Sequence, residues 1–251
     1  MTKYKILTLL LPAVFCITAL IAVPKRQEQI SASGSKPRKT DVNHFPVAEF
    51  GSSETKDTKR KARAEKRNKS HWRVDPDSAS DSTVRVDSVD FSLPALPTKE
   101  AQAVVIATVS DAKAYLSNDK TGVYSVFVVL IEEVLKHSGK LTVGSAVEAE
   151  REGGRVKFPS GRTHLYKVSE QDMPRLGGRY VFFLTQTDTE DVFEIITGYE
   201  IRADAVSPLD ELPQTRAYEN ATPVSFLYEL KTKLASHSSQ TISEHFIHRS
   251  K

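Results

Sequence analysis

Residue types able to do chemistry are scattered through this 251-residue chain rather than gathered into motifs. Of its seven histidines, only His245 and His248 have a ligand-like spacing, with Glu244 beside them. A zinc centre needs three or four converging ligands, and a histidine pair in a polar stretch reads as solvent-exposed. Glu132 and Glu133 are adjacent at the end of an apolar run. Successive strand residues point to opposite faces, so the two do not serve one cleft as acid and base. There is no Gly-x-Ser-x-Gly elbow, no Gly-x-Gly-x-x-Gly turn and no phosphate-binding P-loop, which excludes those hydrolase, dinucleotide and nucleotide signatures. The single cysteine, Cys16, lies in an apolar stretch, leaving no disulfide framework, thiol nucleophile or thiolate metal site elsewhere. Asn68-Lys69-Ser70 and Asn220-Ala221-Thr222 match the glycosylation pattern, and Pro223 argues against the second. No cofactor is expected.

Two basic groups remain. In the first, Arg151, Arg155, Lys157, Arg162, His164 and Lys167 interleave with Phe158 and Tyr166. Small barrels bind oligomers on basic, aromatic faces, so Arg151, Arg155, Lys157, Phe158, Arg162 and Tyr166 form a candidate ligand face. The competing reading is an ordinary half-buried strand, with Arg155 and Lys157 opposite Val156 and Phe158. The second group is a dense run from Lys56 to Lys69. Lys59, Arg60, Lys61, Arg63, Lys66 and Arg67 within it suit contact with a polyanion, either anionic lipid or a wall polymer. The alternative is a self-repelling solvated spacer. Trp72, just beyond, suits an interfacial anchor.

The segments that carry these residues differ sharply in composition. Residues 24–73 hold fourteen Lys or Arg against six Asp or Glu, whereas residues 99–210 hold thirteen against seventeen. The basic character therefore belongs to residues 24–73. Residues 25–98 show no sustained apolar periodicity, and Ser, Lys, Arg, Asp and Pro dominate them. Such a chain buries too little apolar surface to offset its ordering entropy, so residues 24–98 are expected to be a disordered linker, basic and then acidic. Ahead of it, Ile6–Val23 is an uncharged run of eighteen residues preceded by Lys3 and Lys5. That length is close to the minimum for crossing a hydrocarbon core of about 30 Å, and longer than a signal h-region of roughly 7–15 residues. Residues 1–23 are expected to be a membrane anchor or a cleaved signal peptide, with the domain on the exoplasmic side. Lys25 and Arg26 oppose that orientation. Nucleic acid is then an unsuitable partner for the basic run. Phe15 before Cys16 argues against lipidation.

Beyond residue 98 the pattern becomes that of a folded domain. Ala103–Val109, Val123–Leu135, Ala146–Glu152, Arg155–Phe158, Thr163–Val168, Tyr180–Thr185 and Val192–Tyr199 read as short strands separated by turn residues. Gly153-Gly154 suits a two-residue hairpin turn with positive φ. Thr222 and Pro223 suit the start of a helix, with Val224, Leu227, Leu230 and Leu234 as its apolar stripe. The predicted fold is mainly β: a small antiparallel OB-like barrel or sandwich over 99–236 with a C-terminal helix, then a polar tail over 237–251.

Ala103-Val104-Val105-Ile106-Ala107-Thr108-Val109, the run Phe127–Lys136 and Gly178-Arg179-Tyr180-Val181-Phe182-Phe183-Leu184 together resemble the strand order of netrin-like, tissue-inhibitor-type OB barrels. The resemblance extends to uncharacterised exported bacterial proteins with that pattern, and covers residues 99–210. It implies a fold and no site, because the netrin-type cysteines are absent and the inhibitory N-terminal wedge does not carry over. The expected function is a non-enzymatic binding or interaction module, exported or membrane-anchored, whose partner is an envelope protein or polymer. Two other readings stand beside it: a hydrolase-like envelope enzyme, and an envelope scaffold whose basic linker binds a polyanion.

Overall fold

The β-branched and aromatic runs of the sequence pair into two sheets, and short strands from residues 42–86 complete one of them. The computed structural model describes residues 42–51, 57–70, 72, 74, 81–86, 92–137, 141–188 and 192–248, with side chains as far as residue 236. Its strands are β1 (Val47–Glu49), β2 (Thr83–Val86), β3 (Ala103–Leu116), β4 (Val123–His137), β5 (Ala146–Glu152), β6 (Gly154–Lys157), β7 (Thr163–Val168), β8 (Arg179–Gln186), β9 (Val192–Ile201) and β10 (Val206–Pro208). The α-helices are α1 (Thr58–Lys66) and α2 (Pro223–His248). The run Ile6–Val23 with Cys16, Lys56, and the side chains of Glu244, His245 and His248 lie outside the described residues. Among the described residues no helix is long and apolar enough to cross a membrane.

The larger sheet has the order β10-β9-β5-β4-β3-β8, and β9 also pairs with β8. β5 and β9 run parallel; β3–β4, β4–β5, β3–β8 and β8–β9 are antiparallel. Alternation along the strands sends Val105, Ala107 and Val109, then Phe127, Val129 and Ile131, into a core with Phe182 and Leu184. The other face of β3 and β8 is buried too. Val104, Ile106, Val181 and Phe183 pack there against Phe226, Leu230 and Leu234 of α2. Thr222 caps that helix, its Oγ1 accepting from Ser225 N at 3.3 Å. The apolar stripe differs from the predicted one at its start: Phe226 is buried and Val224 is 81% exposed. The helix also continues through the predicted polar tail to His248.

The smaller sheet has the order β1-β6-β7-β2, with β1 and β2 parallel to their neighbours. It corrects two expectations. β5 and β6 do not form a hairpin, since β5 pairs with β4 and β9 while β6 pairs with β7 and β1. Gly153 and Gly154 do have positive φ, but they carry the chain from one sheet to the other. A Cβ on Gly153 would lie 2.7 Å from Tyr166 O, and one on Gly154 2.9 Å from Ala114 Cβ. The second correction concerns the linker. β1, α1 and β2 fall inside residues 24–98, and Phe45, Ala48, Trp72 and Leu96 from that span are all buried. Average composition hid them, because a few isolated apolar residues suffice when they enter cores built elsewhere.

A candidate cationic cleft around α1

Asp57 starts α1, its side chain accepting from Lys59 N at 2.9 Å and Arg60 N at 3.4 Å, as an N-cap should. Helical spacing then sorts the basic run by face. Arg60, Arg63, Ala64 and Arg67 share the face that meets the sheet, where Ala64 is 4% exposed. Lys59, Lys61 and Lys66 are exposed. Ala64 rests on Tyr124 and Val126 of β4. Arg63 pairs with Glu148 and lies 3.3 Å from Glu150, and Arg67 lies 3.4 Å from Glu150. Burial raises the Glu150 carboxyl above its usual range, although both arginines act to lower it. Burial likewise pushes the Tyr124 hydroxyl far above its ordinary value.

The other end of α1 is fastened to the β3–β4 turn. Asp119 accepts from Lys69 N at 2.7 Å, Ser117 Oγ at 2.7 Å, and Thr121 N and Oγ1 at 3.0 and 2.7 Å. Its own N–H donates to Asn68 Oδ1 at 3.1 Å. Burial opposes the charge on Asp119, but hydrogen bonds from Lys69, Ser117 and Thr121 hold its carboxyl far below the ordinary range. Gly122 lets the two segments approach, since a Cβ there would lie 2.5 Å from Arg67 O. Gly122→Ala is therefore expected to loosen residues 58–70 from the turn and destabilise the fold by about 1–3 kcal/mol, as overpacking does. Urea unfolding and amide exchange of residues 58–70 measure this; unchanged stability and exchange would contradict the close approach.

Two cavities flank α1, of about 310 Å³ and 540 Å³. Arg60, Tyr115 and Tyr124 border both. Lys59 and Arg63 add to the first, and Lys113 and Lys120 to the second. Aromatic rings hold several of these cations in place: Arg60 lies 4.7 Å above the Tyr115 centroid, Lys113 5.7 Å from it, and Lys120 4.7 Å above Phe50. Three acids line the same cavities, Asp57 and Glu148 the first and Glu49 the second, and each has a partner. Asp57 caps the helix, Glu148 pairs with Arg63, and Glu49 lies 3.6 Å from Lys157. Among the described residues, Lys59, Arg60, Lys113 and Lys120 have no carboxylate within ion-pair distance. The result is a recessed, positively charged cleft with aromatic walls, suited to anionic groups.

The face picked from the 151–167 region is not a surface. Arg151 is 1% exposed, and its Nη2 donates to both oxygens of Asp210 at 2.6 and 2.7 Å. Phe158 and Tyr166 lie in a core cluster with Val156 and Trp72. Of the six residues, only Arg155, Lys157 and Arg162 reach solvent. Trp72 is no interfacial anchor: its Nε1 donates to Glu152 at 2.8 Å and its ring meets the edge of Tyr166 at 5.6 Å. In the polyanion run, Arg63 and Arg67 are already paired, while Lys59 and Arg60 line the cleft. Lys61 is exposed, and Lys66 lies 3.7 Å from Asp188. Glu132 accepts from Thr108 and Arg179, whereas Glu133 accepts from Lys231 of α2, so the two tie different elements. Among the described residues no three or more His, Cys, Asp or Glu side chains converge as a metal site. Sequence reasoning missed Lys113, Tyr115, Lys120 and Tyr124. The signal for the first two was their i, i+2 spacing on β3, which puts both on one face.

No protein-family model matches this chain, and no curated protein sequence is significantly similar to it.

Proposed function

We propose that this chain is a non-enzymatic binding module that takes an anionic polymer into the cleft around α1. The observation that carries the reading is the set of four cations, Lys59, Arg60, Lys113 and Lys120, lining adjoining cavities without carboxylate partners among the described residues. Cations set over aromatic rings have less freedom to lose on binding, so they act as a preorganised site. The cleft is concave and divided by a helix, which fits a chain better than a flat lipid surface. The scaffold is an OB-like barrel. Its support is the pairing circuit β3–β4–β5–β9–β8 and back to β3, with the one parallel pair between β5 and β9. The run Ile6–Val23 acts as export signal or single anchor and puts the domain on the exoplasmic side, where a wall polymer or another acidic envelope polymer is the partner.

Binding of long-chain polyphosphate and of polygalacturonate to the full chain tests this. Replacing Lys59, Arg60, Lys113 and Lys120 together by Ala is expected to weaken binding about tenfold or more, since each exposed charge contributes up to about 1 kcal/mol. Binding should also fall as salt screens the charges. Equal affinity in the fourfold variant would remove the cleft as the site.

A further inference from the structure

α1 meets the barrel through charge more than through apolar area. Ala64 is its one buried residue, and the cluster it joins has only Tyr124 and Val126 as further buried members. Of the buried polar atoms at this contact, Arg63 Nε and Glu150 Oε1 face each other at 3.3 Å as an ion pair, and Tyr124 Oη makes no hydrogen bond. A contact held mainly by ion pairs, over so little buried apolar surface, belongs to the low-stability end of a fold, where local opening occurs. The C-terminal end of the helix is pinned, through Asn68 and Lys69 to Asp119 and by the close approach at Gly122. The N-terminal end is capped by Asp57 from within its own segment. Arg60 borders both cavities, so α1 stands as the partition between them.

We infer that α1 is a strap, hinged at its Asn68–Ser70 end, which lifts from the sheet so that an anionic chain passes beneath it. The inference rests on the cleft being the polymer site. When α1 lifts, the two cavities become one groove across Tyr115 and Tyr124. Arg63 and Arg67 then exchange Glu148 and Glu150 for anionic groups of the ligand, and α1 closes over the chain with Arg60, Arg63 and Arg67 facing it. The raised Glu150 carboxyl fits this exchange, because burial already disfavours its charge. Tyr124, kept protonated by burial, becomes a hydrogen-bond donor on the floor of the groove.

Amide exchange on the full chain in detergent tests the strap without any ligand. Raising NaCl from roughly 0.01 M to roughly 1 M shortens the screening length from about 30 Å to about 3 Å. Exchange over residues 58–67 is expected to rise about tenfold, while residues 123–131 of β4 stay protected. Equal protection of the two segments at both salts overturns the strap. The second arm is Glu150→Gln. It is expected to speed exchange over 58–67 at low salt and to tighten polyphosphate binding several-fold by releasing two arginines. Exchange unchanged from wild type overturns the inference, even if affinity rises through lost repulsion alone. A wild-type chain that binds no polyanion removes the polymer reading, and the salt arm still decides whether α1 lifts.

Discussion

Arg151→Ala is expected to lower the stability of the domain by about 3–5 kcal/mol, because removing one partner of a buried ion pair strands the other charge. Asp210 would keep bonds from Thr197 Oγ1 at 2.7 Å and Asp172 N at 3.2 Å, which solvate its carboxylate only in part. The pair joins β5 to the segment after β10, so the loss is expected to fall on the whole domain rather than on one loop. Urea unfolding followed by circular dichroism measures it. The double variant Arg151→Met, Asp210→Asn is expected to recover part of the loss, since no uncompensated charge remains. A single-variant effect within about 0.5 kcal/mol, typical of surface substitutions, would contradict the burial of this pair.

Trp72→Ala is expected to cost about 3–5 kcal/mol, the range for deleting a large buried aromatic. The ring is 1% exposed and packs with Val123, Val156, Phe158, Tyr166 and Val168. Its Nε1–H donates to Glu152 at 2.8 Å, so Ala also strands a polar group. Trp72→Phe keeps most of the apolar contact and is expected to cost much less, about 1–2 kcal/mol for the lost hydrogen bond and volume. Thermal and urea unfolding of both variants distinguish this from a spacer residue, for which neither replacement would register.

The same residues show what the sequence made legible and what it hid. β4 and β7 were readable because each keeps a strand-like run of some length, and Phe127, Val129 and Ile131 do share the core face. β1 and β2 were not readable. They span three and four residues, too few for a period, and their parallel partners lie far along the chain. Arg151 misled because alternation assumes one covered face. β5 is covered on both faces at Ala149, Glu150 and Arg151, all buried: Glu150 lies under α1 and Arg151 reaches Asp210. The basic run was visible as charge, but reading it as composition erased its periodicity. Arg60, Arg63 and Arg67 recur at helical spacing behind an Asp57 cap, and the aromatic floor they meet comes from strands more than forty residues further along the chain. The cleft therefore required tertiary structure, although its helix did not.

The described residues between 42 and 86 are part of the folded domain and build one wall of the cleft around α1. Trp72 is the only tryptophan in the chain, so intrinsic fluorescence reports on that span without engineering. Native emission is expected to be blue-shifted and poorly accessible to iodide. Its change on urea unfolding should coincide with the loss of β-sheet circular dichroism, as one cooperative transition requires. Solvent-exposed emission under native conditions, or a separate earlier fluorescence transition while the sheet signal persists, would contradict it.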